Sequence, residues 1–146
     1  MKDDVFFDTN IIVYAYDSGE PRKQAVCEKL IKTVYDGEIS GFVSNQILGE
    51  VFITLTKKIE RPLDNENAEK IVAGITDSAE WIKANYTHRT IKNAIRTVKI
   101  LHTPFWDTVI AETMKENDIE KIYTENDKDF SKITGIKAIN PFKGEL

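Results

Sequence analysis

Apolar positions along this chain switch repeatedly between short continuous runs and helical spacing, and the switches outline alternating strands and helices. The run Val5-Phe6-Phe7 leads into Asp8-Thr9-Asn10, which predicts a buried strand over 5–8 whose carboxyl end passes into a helix start, with one or two helical turns over 10–16. Gly19-Glu20-Pro21 interrupts. Val26, Leu30, Ile31 and Val34 then recur at helical spacing over 22–35, stopped by Asp36-Gly37. Residues 39–44 read as a second strand. Ile47, Leu48, Val51, Phe52 and Leu55 form the stripe of a helix that Ser44 or Asn45 can cap. After Pro62, a helix over 64–75 starts at Asp64 or Asn65, and Trp81-Ile82 marks a short strand within 78–83.

An amphipathic helix follows over 87–101, with Ile91, Ala94, Ile95, Val98 and Leu101 on one side and Lys92, Arg96 and Lys99 on the other. Thr103-Pro104 pairs a cap with a proline at the first helical position and opens a helix over 104–117. Strands over 121–124 and 136–140 flank a turn or half-helix at 128–131, and Pro141 closes the last. Strands separated by helices imply an α/β fold: one three-layer domain over residues 1–146, a mostly parallel sheet with helices on both faces.

In such sheets ligands gather at the carboxyl ends of the strands. Asp8 ends the first strand and Asp127 follows the strand around Ile122-Tyr123, so both belong at one edge. Asp107 is legible in more detail. With Trp106 as origin, Ile110 falls at about 40°, Met114 at about 80° and Ala111 at about 140°, so Asp107, at about 100°, lies inside the apolar stripe. Its place near the helix start contributes roughly 0.3–1 kcal/mol, less than burying an unpaired charge costs. A bound cation or an arginine resolves the conflict. Glu50 lies off the centre of its helix's stripe, and geometry alone makes it a surface acid.

Composition narrows the class. A chain of 146 residues with 41% hydrophobic content suits one domain and needs no staple. Cys27 is the only cysteine, a small apolar filler that allows no intrachain disulfide. No segment approaches a membrane span, and the apolar run before Asp8 is too short for a signal-peptide core, so a cytoplasmic protein is expected. Twenty basic against 24 acidic residues give a formal charge of −4. That argues against a protein coating nucleic acid by bulk charge, though not against a nuclease whose acids gather at one metal site.

Gathered acids constrain their own chemistry. Two carboxylates about 5 Å apart repel by roughly 3 kcal/mol at an effective dielectric near 20, so several together require a counter-charge. With oxygen ligands, no Cys/His cluster, and His88 and His102 at no ligand spacing, Mg²⁺ or Mn²⁺ is favoured over zinc. Such an ion supports in-line hydrolysis of a phosphodiester.

Phe7-Asp8-Thr9-Asn10, Leu48-Gly49-Glu50-Val51, Phe105-Trp106-Asp107, Thr124 with the acids and Phe130 after it, and Asn140-Pro141-Phe142 resemble, in order and spacing, a PIN domain. The resemblance implies a parallel sheet flanked by helices and RNA cleavage with Mg²⁺ or Mn²⁺. It also implies, for a small stand-alone member, a toxin of the VapC type, paired with a small antitoxin protein and forming a homodimer. It carries the catalytic acids onto Asp8, Glu50, Asp107 and Asp127. Asp8 and Asp107 become direct metal ligands, while Glu50 and Asp127 hold coordinated water or a second ion. Thr9, Asn10 and Thr124 orient the carboxylates or the scissile phosphate. Where the family often has an aspartate two residues after the threonine, this chain has Asn126, so Asp127 or Asp129 takes over, or Asn126 acts as a neutral ligand.

Plainer readings exist for each residue. Asp8-Thr9-Asn10 suits a helix cap, Asp127 and Asp129 suit a turn, Glu50 suits solvent, and Asp107 can pair with an arginine. Two basic groups, Lys92/Arg96/Lys99 and Lys57/Lys58/Arg61, suit phosphate contacts or equally a solvated face. No aromatic platform for bases stands out. Two other classes compete with the nuclease. One is an aspartate-nucleophile phosphatase using Asp8, which is disfavoured because Asn10 stands where that class usually has a second aspartate. The other is a catalytically weak binding module that keeps the fold.

Overall fold

The computed structural model describes residues 2–144. Five parallel strands, β1 (Asp3–Phe7), β2 (Ile39–Val43), β3 (Trp81–Lys83), β4 (Lys121–Tyr123) and β5 (Lys137–Ile139), form one sheet in the order β3-β2-β1-β4-β5. Seven helices connect them: α1 (Thr9–Tyr14), α2 (Pro21–Tyr35), α3 (Asn45–Lys57), α4 (Asn65–Thr76), α5 (His88–Leu101), α6 (Phe105–Glu116) and α7 (Asp127–Phe130). A 3₁₀ turn over Pro141–Lys143 follows β5. The expected α/β architecture is therefore the observed one.

Central position explains the composition of β1. Phe6 and Phe7 point to opposite faces, and both are fully buried because helices cover the sheet on each side. The Phe7 ring meets Trp81 and Tyr123 edge-on, at 5.0 and 5.2 Å between centroids. Of the alternative caps, Ser44 holds α3 by accepting from the Ile47 N–H at 3.3 Å, and Asp64 holds α4 by accepting from the Asn67 N–H at 2.8 Å.

Thr103 departs from its expected role. Pro104 precedes the first turn of α6, and the buried Thr103 hydroxyl pairs with the Thr108 hydroxyl at 2.6 Å instead of capping the helix. The predicted stripe of α5 is also only partly covered. Ala94 is buried, whereas Ile95 stands half exposed, because α5 packs chiefly against the single neighbour α6.

Gly41 marks the tightest packing in the sheet. A Cβ at this position would lie 2.7 Å from Val34 Cγ2 and 2.8 Å from the Trp81 ring, both buried. Gly41→Ala is expected to destabilise the fold by about 1–3 kcal/mol through overpacking, read as a lower urea midpoint. An unchanged midpoint would show that α2 and Trp81 shift freely.

Candidate active site

The direction of chain progression reverses at β1. From β1 the chain moves outward through β2 and β3, then returns to lay β4 on the other side of β1. The carboxyl ends of β1 and β4 thus border the crevice where open α/β sheets place ligands. Asp8 stands at the end of β1 and Thr124 at the end of β4. The Asp8 N–H donates to the Tyr123 carbonyl at 3.0 Å, prolonging the β1–β4 ladder by one bond.

Asp8 is buried and its two oxygens are held separately. One accepts from the Thr9 N–H at 2.8 Å, which makes Asp8 the cap of α1, and the other accepts from the Thr124 hydroxyl at 2.7 Å. Thr124 in turn accepts from the Asn126 N–H at 2.9 Å, fixing the rotamer. The Asn10 side-chain oxygen accepts from the Glu125 N–H at 3.3 Å, a second tie across the crevice. Burial pushes the Asp8 carboxyl up to about 6. The hydrogen bonds from Thr124 and Thr9 oppose that rise, and the charge of Glu50 adds to it.

Asp107, in the first turn of α6, is only partly exposed, beside the buried Ile110, Ala111 and Met114. Burial raises its carboxyl to about 7, followed by the charges of Asp8, Asp129 and Glu50. Four acids from four helical segments therefore share one field. The arginine that could have neutralised Asp107 is not among the charges acting on it.

Glu50 is drawn into this group by contacts that the apolar stripe of its helix does not predict. Gln46, one turn earlier on α3, donates its amide to Glu50 Oε1 at 3.0 Å and to the Trp106 carbonyl at 3.1 Å, and Thr9 adds a long hydroxyl bond of 3.5 Å to Glu50. Because both partners of the Gln46 nitrogen are acceptors, its orientation is settled chemically. Gln46 went unremarked in the sequence; a glutamine four residues before a glutamate, on one helix face, is the signal that was there.

The last acid differs from expectation. Asp127 accepts from Asn140 Nδ2 at 3.0 Å and from Lys143 Nζ at 3.1 Å, contacts that hold its carboxyl below the usual range, with Asn140 the larger cause. Asp129 is the acid of this segment whose charge reaches Asp107. Residues two apart on a helix point about 200° away from each other, so α7 cannot present both. Asn126, the alternative, caps α7 without a side-chain bond and is exposed.

Two observations test whether a divalent ion fits. The donor set is all oxygen, which suits Mg²⁺ or Mn²⁺. In addition, Gln46 Oε1 is buried without a hydrogen-bond partner, an acceptor left open beside Glu50. Among the described residues no three His, Cys, Asp or Glu side chains close into a finished cage.

A family model described as the PIN domain matches residues 5–136, most of the chain. The chain belongs to the PIN domain family. Solved structures share its fold at low identity. VapC20 of Mycobacterium tuberculosis, described as a sarcin–ricin loop cleaving toxin, is 17% identical with a TM-score of 0.64, and the match covers 81% of this chain and 86% of the toxin. A toxin–antitoxin complex from Klebsiella pneumoniae is 15% identical with a TM-score of 0.64, covering 94% and 97%. VapBC2 from Rickettsia felis, bound to a fragment of its promoter DNA, is 15% identical with a TM-score of 0.66, covering 94% and 98%. No curated protein sequence matches at a significant level.

The remaining expectations also have places in this PIN fold. Lys92, Arg96 and Lys99 lie along α5, while Lys57, Lys58 and Arg61 lie at the end of α3 away from its Ser44 cap. Cys27 is buried, and burial pushes its thiol up to about 12, which leaves it a packing group. Among the described residues no helix is long and apolar enough to cross a membrane.

Proposed function

We propose that the chain is an endoribonuclease dependent on Mg²⁺ or Mn²⁺. In this reading it is the toxin of a toxin–antitoxin pair, restrained by a small antitoxin encoded beside it and acting as a cytoplasmic homodimer. The observation that carries the reading is the gathering of acids from separate elements at the sheet's reversal point, with Asp8 held by Thr124 across β1 and β4 and Glu50 tied to Thr9, where burial raises the carboxyls of the pair Asp8 and Asp107. Such a pair is poised to exchange protons for a cation near neutral pH. The toxin and antitoxin proteins that share the fold support the partner class.

In this reading Asp8 and Asp107 would hold the ion, which when bound would supply Lewis-acid chemistry, lowering the pKa of water and offsetting charge on a phosphate. Thr124 and the Thr9 N–H keep the Asp8 carboxylate from rotating. Glu50, held by Gln46 and Thr9, accepts a proton from the nucleophile's side of the site. Asp129, not Asp127, supplies the fourth charge.

The test is cleavage of RNA by purified protein with Mg²⁺ or Mn²⁺ against the same protein in EDTA; full activity in EDTA sinks the proposal. In that assay Asp129→Asn is expected to lose roughly 10–100-fold, the range seen for supports of a metal site. Asp127→Asn, whose carboxylate serves Lys143 and Asn140, should change activity little and instead lower stability slightly. The reverse ranking would return the fourth place to Asp127.

A further inference from the structure

One large aromatic side chain stands open at this site. Trp106, the residue before Asp107, is 50% exposed, whereas the other tryptophan, Trp81, is buried. Its surroundings fix it in place. Tyr86 and Phe105 meet its ring edge-on, at 6.3 and 5.0 Å between centroids, and leave solvent access to the ring. The Trp106 carbonyl is bonded to Gln46, whose amide also holds Glu50. Tyr86 follows β3 by three residues, and its N–H is held by Asn45 Oδ1 at 3.2 Å, at the start of α3. The three rings therefore lie at the carboxyl edge of the sheet, on the β2–β3 side of the acids.

The electrostatics at this edge require such a feature. Asp8, Glu50, Asp107 and Asp129 repel a phosphate backbone, and the chain as a whole carries −4. A substrate held only by phosphate contacts would meet opposing charge at these acids, and the basic groups Lys92/Arg96/Lys99 and Lys57/Lys58/Arg61 lie on other elements. Stacking of a base on an aromatic face does not depend on charge and is worth roughly 5- to 150-fold in affinity per base.

Building on the nuclease reading, we propose that Trp106, braced by Tyr86 and Phe105, is the stacking platform for an unpaired base next to the phosphate that Asp8 and Asp107 address. The substrate must then present that base outside a duplex, because a base inside a helix is already stacked on its neighbours. Trp106 is a binding residue: it sets which phosphodiester enters the site and leaves the chemistry to the acids. No aromatic platform stands out in the sequence, because it does not reveal that an apolar residue in an apolar stripe is half exposed.

The test measures binding without turnover, using the Asp8→Asn protein with Mn²⁺ and a labelled unpaired oligoribonucleotide or its duplex. Asp8→Asn alone is expected to prefer the unpaired strand by at least about tenfold. Adding Trp106→Ala should weaken unpaired binding by about ten- to a hundredfold with the slope of affinity against salt unchanged, because no phosphate contact is lost. Trp106→Phe should restore most of it. In the wild-type background, Trp106→Ala should raise KM for cleavage while the melting-temperature rise on adding Mn²⁺ stays intact.

Equal binding of the unpaired strand by the alanine variant overturns the proposal. A loss accompanied by dissociation of a dimer in sedimentation also overturns it, since the ring would then cover protein. The nuclease reading fails separately, through wild-type protein that binds but never cuts.

Discussion

Asp107→Asn is expected to abolish RNA cleavage while making the metal-free protein more stable at pH 8. The two effects have one cause. Burial, followed by the charges of Asp8, Asp129 and Glu50, raises the Asp107 carboxyl to about 7. A carboxyl whose folded pKa lies above its unfolded value of 3.8 contributes stability that is full below about 3.8 and is lost as pH rises through about 7. At pH 8 the ionised side chain therefore works against folding, and asparagine removes that opposition. Solvent at the half-open site screens part of the effect, so a gain of about 1 kcal/mol is expected, or roughly 2–4 °C in Tm.

Activity should fall at least about a hundredfold, since residues that merely support metal ligands cost 10–100-fold. Asp8→Asn should lose as much activity with less change in stability. An asparagine oxygen can still cap α1 through the Thr9 N–H, and its amide can face the Thr124 hydroxyl. An Asp107→Asn protein that stays active, or that melts well below wild type, would mean that Asp107 is a structural acid.

The second large effect is the pH dependence of stabilisation by metal. Metal-free protein should lose stability between about pH 4, where the unfolded carboxyls ionise, and about pH 7, as Asp8 and then Asp107 ionise in the fold without a partner. Added Mn²⁺ competes with those protons. Its effect on Tm should therefore be near zero at pH 5 and reach several degrees at pH 8, growing with concentration. Thermal melts in EDTA and in millimolar Mn²⁺ across this range decide it. A shift of the same size at every pH, or stability that rises with pH in EDTA, would detach the two carboxyls from metal binding.

The elements were legible because their signals are local. The buried run Val5-Phe6-Phe7, the stripes of α2 and α3, and the caps at Ser44 and Asp64 each act within a few residues, and the layered α/β architecture follows from their alternation. Asp107 was legible for the same reason, since a helical wheel needs only its own helix. Glu50 was not. What brings it to the site is the Thr9 hydroxyl on another element and an amide that also grips Trp106.

The choice between Asp127 and Asp129 depends on Asn140 and Lys143, which come after β5 and declare nothing about their partner in the sequence. Thr103 departs from its expected capping role for a related reason. Its hydroxyl finds Thr108 inside the fold, a partner that competes with the helix end.

The bond between Asp8 and Thr124 spans 116 residues. Until the ribosome has made β4 and β4 has paired with β1, Asp8 has no hydroxyl to steady it and Asp129 has not yet reached Asp107. A contact between such distant positions is slow to form, because the loop must close before the contact returns any energy. A chain that stops before β4 therefore lacks the bond that fixes its first acid. On the proposed nuclease reading, completing β4 is the step that assembles the site.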